Sequence, residues 1–163
     1  MPFATRSDLL ARSNARRLAQ LAVPADKAMP PDDALRTAIS GGDISIYTTD
    51  EQAVLALALD AIDKALADAQ ELLLSYGIPA TTHTTLLARL ASTVALYYLQ
   101  GAERMTDEVT KNYEGVIETL KSHSRGVISL VPAAPTDPVL PDDVAVIASS
   151  PRRYGALIPS DNG

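Results

Sequence analysis

Few residues in this chain have the type and spacing that bond-making chemistry needs. The chain holds two histidines, His83 and His123. His83 falls in a turn and His123 at a helix end, so each reads as a surface or capping histidine rather than a base or a ligand. Asp32-Asp33 and Asp142-Asp143 are paired carboxylates. Adjacent side chains diverge, so such pairs suit helix caps and solvated loops better than a shared acid–base site. Tyr97-Tyr98 reads as one core ring and one surface hydroxyl. The chain lacks the phosphate loop G-x-x-x-x-G-K-S/T, the dinucleotide loop G-x-G-x-x-G, H-E-x-x-H, an EF-hand loop and G-x-S-x-G. Cysteine is absent, which removes disulfides and thiolate metal sites. The expectation is no catalytic residue, no metal site, no cofactor and no enzymatic activity.

What remains is binding chemistry. Arg12, Arg16 and Arg17 make a basic spot near the N-terminus. It reads as a solvated helix face or as a contact for an acidic partner. Beyond Leu130 the composition shifts. Pro132, Pro135, Pro138 and Pro141 recur every third residue, the period of a polyproline II helix, which would make a stiff rod of roughly 30 Å at ~3.1 Å per residue. Val144, Val146 and Ile147 lie in a β-branched run that could pair as a strand. Arg152, Arg153 and Tyr154 offer charged and aromatic anchors, with Leu157 and Ile158 beyond them. Residues 131–163 are therefore expected to form an extended arm that becomes ordered on a partner, through Val144, Val146, Ile147, Arg152, Arg153, Tyr154, Leu157 and Ile158.

A stable body must hold such an arm, and three helical patterns supply it. The first spans Asp50–Tyr76, with an apolar seam at Leu55, Leu59, Ile62, Leu66, Ala69 and Leu73. Thr48 and Glu51 form a capping box, Gly77 is the stop and Pro79 forbids continuation. Asp60 and Lys64 stand as an i,i+4 pair. Ala56, Ala61, Ala65 and Ala67 give this helix a second, small face. The next helix spans Thr85–Leu99, capped by Thr84 or Thr85 and ended by Gly101, with Leu87, Leu90, Val94 and Tyr97 along its stripe. Arg89 is the only charge in its interior. The third spans Asp107–Ser124, with Thr106 as cap, Val109, Tyr113, Val116, Ile117 and Leu120 as stripe, Asp107–Lys111 as a second pair and Gly126 as stop. Val127–Leu130 either packs or adds a short strand.

Shorter elements precede these. Thr5 and Asp8 start a helix carrying Leu9 and Leu10. Ser13-Asn14 breaks it and caps another turn or two with Leu18 and Leu21 inward. Residues 23–49 form a long connection, with a short helix capped by Asp32 or Asp33, ending at Ile39 before Gly41-Gly42. Ile44, Ile46 and Tyr47 alternate with Ser45, as in a short strand or small hairpin. A connection of this length points to a contact with a neighbour. The expected subunit contact is either this connection, through Ile44, Ile46 and Tyr47, or the small face of the long helix, through Ala61 and Ala65.

A chain of 163 residues suggests one domain with a real core. Its net charge of −6 opposes nonspecific nucleic-acid binding. No apolar run approaches the ~20 residues of a membrane span, and MPFATRSDLL lacks a signal-peptide core. Use without export is expected.

These patterns resemble the phage Mu-like neck proteins. The matching residues are Ala4-Thr5 with Asp8-Leu9 and Arg12, then Ala65 to Ala69, Leu73 and Pro79. Leu87, Ala91 and Ala95-Leu96-Tyr97-Tyr98-Leu99 follow, then Val109, Tyr113, Ile117, Leu120, Gly126 and Ser129-Leu130. The resemblance covers about residues 3–130 and departs at 23–49, which is longer than the family's usual connection. It agrees with the fold expected from the residues, an all-α protein: a small antiparallel helical bundle with a long loop, its short helix connections favouring antiparallel neighbours, as a helical adaptor domain at 1–130, and an extended C-terminal arm at 131–163 beyond the resemblance. It implies a head-completion or head-to-tail adaptor of the virion neck, assembled in the host cytoplasm. The implied partners are the portal protein, neighbouring copies in a dodecameric ring and a downstream neck or tail-completion protein. DNA would only pass through the ring channel, and no membrane would be involved. A small helical nucleic-acid-binding or packaging-associated protein is the alternative. It would need a basic recognition helix, and none of the three long helices is basic.

Overall fold

Local capping chemistry sets where each helix begins. In the computed structural model, which describes residues 2–101 and 105–133, there are six: α1 (Arg6–Arg12), α2 (Ala15–Ala22), α3 (Asp32–Ile39), α4 (Thr49–Ser75), α5 (Thr85–Gln100) and α6 (Asp107–Ser124). No strand occurs among those residues, and the fold is all-α. Thr5 with Asp8 and Thr48 with Glu51 close full capping boxes at α1 and α4. Asn14, Thr84 and Thr106 cap α2, α5 and α6 by accepting from the N–H three residues on. The start of α3 differs from expectation. Pro31 occupies the cap without a side-chain bond, and Asp32 and Asp33 sit in the first turn. There they favour the positive end of the helix dipole rather than satisfying an N–H.

The long α4 ends in a Schellman turn. Gly77 N–H donates to Leu74 O (2.9 Å) and Ile78 N–H to Leu73 O (3.4 Å), with Gly77 at φ 85°. Ile78 and Leu73 are both buried, which supplies the hydrophobic contact that accompanies this turn. α6 ends the same way, with Gly126 N–H to His123 O and Val127 N–H to Ser122 O. Here Val127 is left 73 % exposed.

The helices of unit Met1–Pro132 pack around α4 and α5, the most extensive pairing. α6 joins chiefly through α5, while α1, α2 and α3 lean on α4, on α5 and on one another. One core runs through all of them, from Phe3 and Leu9 through Leu18, Leu35, Leu55, Ile62, Leu73, Leu87 and Val94 to Leu120 and Leu130.

The buried stripe of α4 is wider than one seam. Val54, Ala58 and Ala65 are buried beside Leu55, Ile62, Leu66, Ala69 and Leu73, whereas Leu59 is half-buried. The reason is that α4 meets α5 as well as α2 and α3, so its apolar arc must face several neighbours. The small face does not survive as a unit: Ala65 is in the core, Ala61 half-buried, and Ala56 and Ala67 exposed. In α1 and α2, Leu9 and Leu18 are fully buried but Leu10 and Leu21 only partly. Ala15, Ala19 and Ala22 complete the inner face of α2.

The expected strand at 44–47 is a turn. Ser45 N–H donates to Asp43 Oδ1 (2.8 Å), and Tyr47 N–H to Ile44 O (3.1 Å). Backbone groups are satisfied locally, and a lone strand would leave them without partners. Val127–Leu130 packs rather than pairing: Leu130 is buried while Val127 and Ile128 are exposed. Lys64 and Asp60 pair at 2.6 Å, but no ion pair joins Asp107 and Lys111 among the described residues. No helix among those residues is long and apolar enough to cross a membrane.

Candidate functional site

A groove of about 740 Å³ opens between the α1–α2 junction, α5 and α6. Its floor is one face of α5: Leu86, Arg89, Leu90, Thr93, Leu96 and Gln100, spaced as one side of a helix. The opposite side of α5, at Leu87, Ala91, Val94 and Ala95, is fully buried. One wall is the chain reversal between α1 and α2. Ser13 ends α1, and Asn14 Oδ1 accepts from Arg17 N–H (2.7 Å) to start α2. That reversal presents Arg12 and Arg17 to the groove. The other wall is Glu108, Val109, Asn112, Gly115, Val116 and Thr119 of α6.

The groove is cationic in an anionic protein. Arg12, Arg17 and Arg89 face one carboxylate, Glu108. All three arginines are exposed, and among the described residues none makes an ion pair or side-chain hydrogen bond. The neighbouring Arg16 does have a partner, Asp32, at 3.9 Å. Thr93 donates to Arg89 O (3.0 Å) and Thr119 to Gly115 O (2.8 Å). Their hydroxyl protons are thus spent on their own helices, and their lone pairs remain to accept.

Two further features mark the site. Gln100 is 5 % exposed, and its Oε1 has no hydrogen-bond donor. A smaller recess of about 330 Å³ shares Gln100 and Arg17 with the groove and reaches Met29, which is 49 % exposed. Gly115 lies mid-helix with open space where a Cβ would stand. A glycine there costs α6 stability relative to alanine and keeps the groove wall free of a side chain.

Aromatic packing fixes the α5–α6 wall. Tyr97 stacks on Tyr113 with ring centroids 3.9 Å apart and planes 11° from parallel. Tyr98 lies against both rings. Partial burial, then a hydrogen bond with Tyr113, pushes its phenol up to about 12, so it stays neutral. On the α1 side, Arg6 holds Asp63 of α4 through Nε to Oδ1 (2.7 Å) and Nη2 to Oδ2.

The residues expected from sequence to bind partners fall elsewhere. Val144, Val146, Ile147, Arg152, Arg153, Tyr154, Leu157 and Ile158 lie outside the described residues. Of the expected subunit contacts, Ile46 is 75 % exposed. Ile44 is half-buried, and Tyr47 packs on the core with its carbonyl accepting from Gln52 Nε2 (2.7 Å). Ala65 is 5 % exposed and already spent inside the chain. Ala61 is half-buried and sits ~18 Å along α4 from its start, at ~1.5 Å per residue.

The groove was only partly visible in the sequence. Arg12 and Arg17 stood out as a basic spot, and Arg89 as the lone charge of its helix. Nothing in local spacing joined them, because α1, α2, α5 and α6 meet only through packing. His123 was likewise read as a capping residue; its Nδ1 lies 3.4 Å from both Ile128 O and Leu130 N, beside the buried Leu130.

Comparison with curated proteins finds no match. A family model, Bacteriophage Mu, Gp36, matches residues 3–148. That match covers all six helices, the groove and part of the C-terminal segment. The chain therefore belongs to the Bacteriophage Mu, Gp36 family, a family of phage proteins.

Proposed function

We propose that this protein is a structural head-to-tail connector, or adaptor, of a tailed phage or prophage, and not an enzyme. Copies form a ring, dodecameric as the resemblance implies, that joins the portal to the neck or tail. Its partners are the portal protein, its own neighbours and a downstream neck or tail-completion protein, with DNA only passing through the channel. Its place is the virion neck, reached after assembly in the host cytoplasm. The observation that carries this reading is the family match over residues 3–148. The architecture agrees with it: a helical unit at 1–132 followed by a proline-punctuated segment suited to reaching a partner.

The test is mixing the full chain with the portal ring encoded by the same phage, followed by sedimentation. The expected outcome is co-sedimentation in a fixed ratio, saturating as a ring closes. No binding at micromolar concentrations of both proteins would overturn the reading. A packaging-associated nucleic-acid binder is the second reading, favoured by three groove arginines that are unpaired among the described residues and opposed by the net charge of −6. A salt-dependent mobility shift of short duplex DNA, lost in Arg89→Glu, would support it over the first.

A further inference from the structure

We infer that the α1–α2/α5/α6 groove is the receptor for a segment of a second copy of this chain, the acidic-apolar run Val139–Val146. The inference rests on the proposed side-by-side assembly of copies and deepens it by naming both halves of the contact.

Three observations converge. First, charge: the groove offers Arg12, Arg17 and Arg89, which have no ion-pair partner among the described residues. The sequence from Asp137 to Val146 carries Asp137, Asp142 and Asp143 and no cation. Guanidinium–carboxylate bonds are among the stronger contacts available at a surface. Second, surface type: Leu86, Leu90 and Val109 lie among the groove's polar groups. Val139, Leu140, Val144 and Val146 flank the carboxylates in the run, so both partners are mixed in the same way. Third, hydrogen bonding: Gln100 Oε1 is buried without a donor. A buried acceptor without a partner is costly, and an extended segment carries backbone N–H groups that can supply one.

A second copy is favoured over the chain's own segment by the spacing of prolines. Pro132, Pro135, Pro138 and Pro141 recur every third residue from the end of the helical unit into the run. Such a period in the sequence favours a stiff, extended spacer, ~3.1 Å per residue, suited to reaching a second copy. The family match reaches residue 148, so this run lies inside it, whereas Arg152, Arg153 and Tyr154 lie beyond it.

The chain has no cysteine, so an introduced pair reports one contact without background. Two full-length variants, Thr93→Cys in the groove and Val144→Cys in the run, are mixed, added to the portal ring and treated with a short thiol cross-linker. The expected result is a mixed covalent dimer well in excess of either like-with-like dimer. Arg17→Glu with Arg89→Glu should lower its yield at least about tenfold, since charge-assisted contacts are lost. Adding Asp142→Arg and Asp143→Arg to the Val144→Cys chain should restore it. Rings on the portal without the mixed dimer would overturn this inference and leave the adaptor reading standing. Absence of rings would overturn both. Closure within a single chain carrying both cysteines, without mixed dimers, would assign the groove to the chain's own segment and overturn the exchange. Protection of Cys-substituted Thr93 by short duplex DNA at physiological salt would assign the groove to nucleic acid and equally overturn it.

Discussion

Ile62 and Leu59 were both read as seam residues of the long helix, and the structure separates them. Ile62 is fully buried while Leu59 is half-buried. Ile62→Ala should cost about 2–5 kcal/mol through lost transfer energy and a cavity. Leu59→Ala should cost roughly half as much or less, because water and neighbours can fill the gap. Chemical denaturation of both variants checks the ordering. The Arg6–Asp63 pair makes a pH-dependent contribution of known sign. The hydrogen bond from Arg6 holds the Asp63 carboxyl below its ordinary 3.8. Its stabilisation is therefore complete above that value and is lost as pH falls through the lower folded value. Both side chains are 38–49 % exposed, so solvent screening limits the pair to about 0.2–1 kcal/mol. Melting curves should show Arg6→Ala slightly less stable than the wild type near pH 7. The gap should narrow as pH falls below 3.8 and close below the lowered Asp63 value; a gap that persists at still lower pH would point to packing by Arg6 instead.

At the scale of elements, helix limits were readable because they are local. Thr5 with Asp8, Thr48 with Glu51, Thr106, Gly77 and Gly126 act over three or four residues and do in the structure what their spacing implies. The strand at Ile44–Tyr47 was misread because alternation alone supplies no partner edge, and the Asp43 side chain closes a turn instead. The groove is legible only as separate charges, for a different reason. Arg17, Arg89 and Asn112 belong to three helices whose meeting depends on the whole core. Gly115 on its α6 wall gives a test of purpose at this scale. Its backbone needs no left-handed conformation, and a Cβ meets nothing within 4 Å. Gly115→Ala should therefore raise stability by about 0.5–1 kcal/mol. A higher melting temperature with weaker groove docking would show glycine there to serve the surface and not the helix. A lower melting temperature would show that α6 needs it for packing.

At the scale of the whole molecule, a helical body carries a connecting segment. Among the described residues the core closes within Met1–Pro132, and Leu130 is its last buried member there. A chain ending at Pro132 should melt with the full-length protein, within about 0.5 kcal/mol, since a segment outside the core adds little to it. A large fall in its melting temperature would instead make the C-terminal segment part of the body. The same shortened chain should fail to complete the neck. The most direct measurement is a reconstruction of the portal vertex from assembled phage particles. The six-helix body should recur around the DNA channel next to the portal, with each copy's C-terminal segment on a neighbouring protein. Particles with completed necks in which this chain is absent, or lies away from the portal vertex, would contradict the account.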